Sequence, residues 1–377
     1  MDMEVRKKRG FSAIFRLCPA RHVLALVSAA VIGLHLLTRR EHALMARLSE
    51  SVVRPVHRAL ASFYALFPFS MAELLIALAV IGLLVYLVWQ IAALIRRGNR
   101  GARLYKLLLT LLTAGLTVYA GFCLLWGVFY YGDDFIAKSG LRSEAISTEQ
   151  LEAVTDYFAG LANEYGERVT RDENGVYAGD RQALLDKSSE VYRNTVDGFP
   201  CLDGPEIAAK GILCSRVMSY IDFTGFFFPF TAEANVNVDF PPSLFAATIA
   251  HELAHQRGVA KEQEANFAAV LACLNYGDPD YVYSAALLAY THLGNALYKA
   301  DHAAWERVYS TLSDAVRTDF AANRVYWAQF DTPVQTVSNT VYEGFLHSYD
   351  QTLGLRSYGA CVDLLVNYYY EQAIAEN

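Results

Sequence analysis

Charge is scarce in this chain. Asp, Glu, Lys and Arg account for 19% of the residues, while hydrophobic types account for 54%. Together with a mean hydropathy of +0.20, which soluble proteins seldom reach, that shortage points to a membrane-embedded portion. Basic residues are missing where a nucleic-acid surface would need them. They crowd near the N-terminus, the acidic excess lies in the C-terminal two-thirds, and the net charge is -7. Nucleic-acid binding is therefore set aside. No CxxC pair exists among the six cysteines, which argues against a cysteine zinc site. Cys201 and Cys214 are near enough in sequence to bridge if their region sits outside the cell, or they stay free thiols; spacing alone leaves both open. Repeats and low-complexity tracts are lacking as well.

What the chain does have is long apolar stretches. A bilayer core about 30 Å thick needs roughly 20 apolar residues of helix. Residues 22–38, 71–95 and 107–131 come near or meet that requirement and are read as three transmembrane helices, a membrane domain over 22–131. The first is short enough to resemble a signal-peptide core. Arg39 and Arg40 follow it directly, however, and no small-residue cleavage site is present, so it is kept as a helix. Orientation follows from the flanking Lys and Arg: eleven lie before the first helix and between the second and third, and seven lie on the other side. That asymmetry predicts a cytoplasmic segment over 1–21, a multi-pass protein of the cell membrane, and an extracytoplasmic domain over 132–377. The stretch 41–68 mixes Arg, His and Glu with Leu, Val and Phe at helical spacing, as an interfacial helix would.

Helical periodicity recurs beyond the membrane segments at 148–165, 181–194, 205–220, 241–257, 261–274, 279–299, 302–346 in at least two pieces, and 357–372. Strand signals are sparse. The best is 226–238, whose end alternates Asn235, Val236, Asn237 and Val238 as a half-exposed strand should. The expected fold class is mainly α, with three N-terminal membrane helices followed by an α+β domain that contains a small sheet.

The chemistry concentrates in Pro241 to Gly258 (PPSLFAATIAHELAHQRG), which opens at a proline pair and stops at a glycine suited to a left-handed helix end. His251 and His255 are four residues apart, so both imidazoles project from one helix face and can bind a single Zn²⁺. Glu252 points beside the metal, where it can act as the general base on a zinc-bound water. The flanking Thr248-Ile249-Ala250 and Leu253-Ala254 carry no charge, so this helix is expected to be buried. There, unpaired histidines and a glutamate would be costly without a metal or another partner. After Gly258 the next helix begins Lys261-Glu262-Gln263-Glu264-Ala265-Asn266, which offers a third ligand. Glu262 and Asn266 share a face with Ala265, Ala269, Val270 and Cys273, a stripe fit for close packing on the His helix. This favours Glu262 as ligand, with Asn266 bonded to an imidazole nitrogen. Glu264, about 200° away around the helix, is the alternative.

HELAH followed by ExxAN resembles the gluzincin metallopeptidases, whose third zinc ligand is a glutamate on a downstream helix. PFS at 68–70, GFFFPFTAEANVN at 225–237, HELAHQRG and EQEANF are together similar to an uncharacterised bacterial family of membrane proteins placed with those peptidases. The likeness covers most of the chain. It implies a zincin-like fold for 132–377, in which the strand just before the His helix, with Asn235, Val236 and Asn237, would be the edge that pairs with an extended peptide. Two departures stand out: the gap between His255 and Glu262 is short, and Asn266 stands where Asp is commoner.

The expected activity is thus hydrolysis of a peptide or protein at the membrane, with Zn²⁺ as cofactor. An oxyanion stabiliser must come from elsewhere, with Tyr290, His292, Arg356 and Tyr358 as options. The rival reading is a membrane sensor or scaffold with a structural zinc, and a weaker third is hydrolysis of a non-peptide amide.

Overall fold

The computed structural model describes residues 15–96, 99–141, 144–349 and 358–376. Among the described residues, three helices are long and apolar enough to cross a membrane: α1 (Pro19–Thr38), then, after α2 (His42–Leu48) and α3 (Arg54–Tyr64), α4 (Met71–Arg96) and α5 (Arg100–Leu125). α5 starts and stops six or seven residues earlier than the sequence suggests. Asn99 takes a left-handed conformation (φ 64°) that begins a new helix, and at Trp126 the chain leaves the α-helix for a 3₁₀ turn over Gly127–Tyr130. α1 and α4 both pack on α5, and the contacts include a hydrogen bond between the Ser28 and Thr117 hydroxyls at 3.1 Å.

The expected interfacial helix over 41–68 is two helices joined by a π-helical stretch, Ser49–Val53. It is pinned to the following domain. Arg54 donates to the Cys201 and Asp203 carbonyls at 3.2 and 2.5 Å, and Lys138 pairs with Glu50.

The domain then runs α6 (Phe135–Ser139), α7 (Thr148–Gly166), α8 (Arg181–Lys187), β1 (Lys210–Ile212), α9 (Ser215–Tyr220), β2 (Gly225–Phe228), β3 (Glu233–Asn237), α10 (Phe245–Gln256), α11 (Glu262–Tyr276), α12 (Pro279–Ala300), α13 (His302–Thr311), α14 (Asp314–Ala328), α15 (Pro333–Ser348) and α16 (Tyr358–Glu376). α7 begins with the capping box that Ser147 and Gln150 foreshadow. Three segments depart from expectation: 181–194 is α-helical only to Lys187 and then passes through a 3₁₀ turn over Ser188–Glu190. Residues 205–220 hold β1 and the short α9 rather than one helix, and 226–238 is a hairpin of two strands. Cys201 and Cys214 are both free.

The sheet order is β1-β3-β2, with β1 parallel and β2 antiparallel to β3. β3 is therefore central and buried along its whole length, not half-exposed and not the edge. Its asparagines look solvent-facing in sequence but are satisfied inside. The Asn235 carboxamide accepts from Ser70 at 2.6 Å, and that of Asn237 donates to Ser219 and the Phe223 carbonyl at 2.9 and 3.0 Å. Val236 faces the main core with Ala234.

That same strand holds the membrane part. Glu233 accepts from the first backbone amides of α4, Met71 and Ala72, at 3.2 and 2.8 Å, and pairs with Lys210 at 2.6 Å. A carboxylate at a helix N-terminus meets both orphan amides and the positive end of the helix dipole. α10 and α11 pack closely through alanines such as Ala250, Ala254, Ala265, Ala268 and Ala269, all fully buried. Side chains such as Ile249, Leu253 and Phe267 fill the rest of that core, each contributing about 2 kcal/mol by leaving water.

Candidate metal centre

α10 starts after Pro241 and a 3₁₀ turn at Pro242–Leu244. It ends at Gly258, whose φ of +86° is left-handed and whose missing side chain leaves room for Phe129; a Cβ there would lie 2.8 Å from that ring. The reversal carries the chain straight into α11, so the two histidines and the next glutamate converge. His255 Nε2 lies 3.0 Å from His251 Nε2, and the Glu262 Oε2 atom lies 3.2 Å from His251 Nε2 and 3.6 Å from His255 Nε2. A tetrahedral zinc with ligands about 2.1 Å away would hold its donor atoms about 3.4 Å apart. The three spacings bracket that value.

The chain between His255 and Glu262 also fixes the imidazole. His255 Nδ1 lies 2.6 Å from the Val259 carbonyl, so Nδ1–H donates there and the Nε2 lone pair is left facing the other two groups. Asn266 was the expected partner; it lines the cleft instead, one turn beyond Glu262. The other Glu262 oxygen accepts from the Tyr342 hydroxyl at 2.7 Å. Glu264 points away. Buried, it accepts from the Phe135 amide at 2.8 Å and lies 3.5 Å from Lys261.

Without a metal, the carboxylate and the imidazoles stabilise one another's charge. Burial opposes ionisation of Glu262, but His255 and His251 hold its carboxyl well below the usual range. Burial likewise opposes the His255 charge, yet Glu262 raises it to about 9. Burial pushes the neighbouring Glu252 up to about 7, against the pull of His251 and His255. Glu252 lines the same cleft, and its Oε2 has no hydrogen-bond partner among the described residues.

Residues 49–366 match a family described as a protein of unknown function, DUF3810. The chain belongs to the DUF3810 family. Its matched stretch takes in α4, α5, the sheet and every residue of the cluster. No curated protein and no solved structure matches the chain.

The cleft of this DUF3810 chain is walled by β2 and the loop before it, by α10 and α11, by α15, and by residues at the end of α5. β2 pairs with β3 on one side only, and Phe223 to Phe227 line the cleft, so β2 is the strand whose margin borders the site. Its first residue is Gly225, and a Cβ there would meet Glu252 Oε1 at 2.5 Å. Of the oxyanion options among the described residues, His292 lines the cleft; burial and the nearby His251 push it down to about 4, so it is neutral. Tyr290 packs against Phe320 outside it. Tyr358 opens α16, and its side chain, like Arg356, lies outside the described residues. Tyr342, Gly225 and Trp126 were not singled out in the sequence. Trp126 meets the His255 ring edge to face at 5.9 Å. Tyr342 is one of 24 tyrosines, and no spacing rule connects it to Glu262.

Proposed function

We propose that this DUF3810 chain is a membrane-anchored zinc metallopeptidase whose catalytic domain lies outside the cytoplasm. The observation that carries the reading is the convergence of His251, His255 and Glu262, whose ligand atoms lie within 4.8 Å of one another, beside the carboxyl of Glu252. Two imidazoles, one carboxylate and an adjoining cleft form an open catalytic zinc set rather than a closed structural one. The likeness of HELAH and the glutamate that follows to gluzincins supports the same reading, as does the excess of Lys and Arg on the N-terminal side of the membrane for orientation.

Zinc held there would supply Lewis acidity toward a water molecule and a peptide carbonyl. Glu252, beside the cluster and lining the cleft, takes the proton of the attacking water and hands it to the leaving nitrogen. His292, neutral and in the cleft, is placed to donate to the developing oxyanion. An extended peptide adds to the free margin of β2, not to β3.

The test is Glu252→Gln in the full-length, zinc-loaded chain, with a pool of generic peptides as substrate. Hydrolysis should fall by about two to four orders of magnitude while zinc content holds and the variant stays folded. Equal turnover by the variant and the parent, or absence of zinc from both, defeats the reading in favour of a non-catalytic role.

A further inference from the structure

The cleft is built on the end of a membrane helix. Phe122, in the last turn of α5, and Trp126, the residue after it, form part of its wall. The β2–β3 turn is seated on the same helix, with Phe230 so close to Gly121 that a Cβ would come 2.7 Å from the ring. On the other side Phe345 of α15 packs on Phe122, centroids 5.4 Å apart, and the Tyr349 hydroxyl bonds that of Tyr119 at 3.2 Å. Tyr119 precedes the end of α5 by about 9 Å of helix. The end of α15 thus descends beside the apolar part of α5.

A second flank sits at the same depth. Glu73, in the first turn of α4, accepts from the Leu213 and Cys214 amides at 2.9 and 2.7 Å. With α4 crossing a bilayer as its length and composition allow, this contact fixes the β1–α9 loop at the bilayer surface. The loop presents Leu213, 87% exposed, and α9, which follows directly, presents Val217, 60% exposed. Such surfaces are unfavourable in water and favourable against lipid.

We propose that the bilayer covers these side chains, and that the cleft takes a polypeptide held in the membrane by an apolar anchor and cuts it close to that anchor. This rests on the metallopeptidase reading. Because Trp126 both ends the α5 span and touches His255, a bond presented to His251, His255 and Glu262 must lie at the bilayer surface. A chain already tethered in the membrane arrives at that depth and is concentrated there; a free soluble chain is not. The reaction is ordinary peptide hydrolysis: the C–N bond breaks, water supplies hydroxyl to the carbonyl carbon, and its other proton goes to the departing nitrogen.

The experiment uses the full-length zinc-loaded chain in vesicles of phosphatidylethanolamine and phosphatidylglycerol. A randomised pool of quenched fluorescent peptides is supplied with and without a palmitoyl group a few residues from the random segment. The palmitoylated pool should be cut about tenfold faster or more. The double variant Leu213→Asp, Val217→Asp should lose most of that advantage while cutting the unanchored pool at the parent rate, which also shows that it folds. Equal rates on the two pools overturn the proposal and leave the peptidase reading standing. An advantage that survives the double substitution overturns the lipid contact on which the proposal is built. No cleavage of either pool by zinc-bound protein overturns both readings.

Discussion

Gly225 lies directly against the carboxyl of Glu252, with no space for even one more carbon: a Cβ would sit 2.5 Å from Oε1, 2.7 Å from Cγ and 2.8 Å from Cδ. The cleft-bordering strand and the proposed general base are therefore positioned by one absent side chain. Gly225→Ala should displace the carboxylate and lower kcat by about a hundredfold, since misplacement of a reacting group by about 1 Å costs that much. Zinc content should stay at the parent level. Unchanged kcat would show that the base tolerates the shift.

The two carboxylates at the start of α11 have opposite surroundings. Glu262 faces both imidazoles, while Glu264 serves Phe135 and Lys261. Glu262→Gln should lose most bound zinc, measured by metal analysis after dialysis. Glu264→Gln should keep it. Equal zinc loss in both variants contradicts the ligand assignment.

Tyr342 reaches Glu262 from α15 and holds the carboxylate oxygen farther from the histidines. Tyr342→Phe removes that bond and leaves the ring in place against Phe223. Zinc affinity should drop by about ten- to a hundredfold in a chelator competition, the usual effect of losing a group that orients a ligand. An affinity equal to that of the parent chain would mean the hydroxyl does not orient the ligand.

Glu252 makes metal-free stability depend on pH. Burial raises its folded value to about 7, above the ordinary carboxyl value of 4.5. Between those values the folded chain holds a proton that the unfolded chain has released, so stability falls as pH rises through that window and levels off above it. The full cost is on the order of 3 kcal/mol. Glu252→Gln should therefore melt higher than the parent at pH 8 in chelator and match it near pH 4. The reverse ordering at pH 8 would contradict the sign of the shift. A gain in stability at the expense of activity is the expected signature of a strained catalytic group.

Much of this was legible in the sequence, and the failures have physical causes. The His251–His255 pairing follows from helix periodicity alone, and the small residues on its helix face favour Glu262 over Glu264. Gly258 was legible as a left-handed stop. β3 was misread because asparagines at alternate positions look like a wet face. The groups that satisfy them, Ser70, Ser219 and the Phe223 carbonyl, come from elsewhere in the chain. Residues 205–220 carry helical spacing, but Lys210 is drawn to Glu233 and to the Tyr64 carbonyl, and β1 forms beside β3. Tertiary partners decided both cases, and a local pattern contains no information about them.

The brevity of the link from His255 to Glu262 has a cost in adaptability. Its Val259 carbonyl orients one proposed ligand while its length sets the rotation of the helix that bears another. Adding one residue there would turn Glu262 by about 100° around α11 or pull the carbonyl off the ring. The linker therefore cannot be lengthened by gradual insertion. Diversification of such a centre has to come through the walls, β2, α15 and the end of α5, while the hinge between its ligands keeps a constant length.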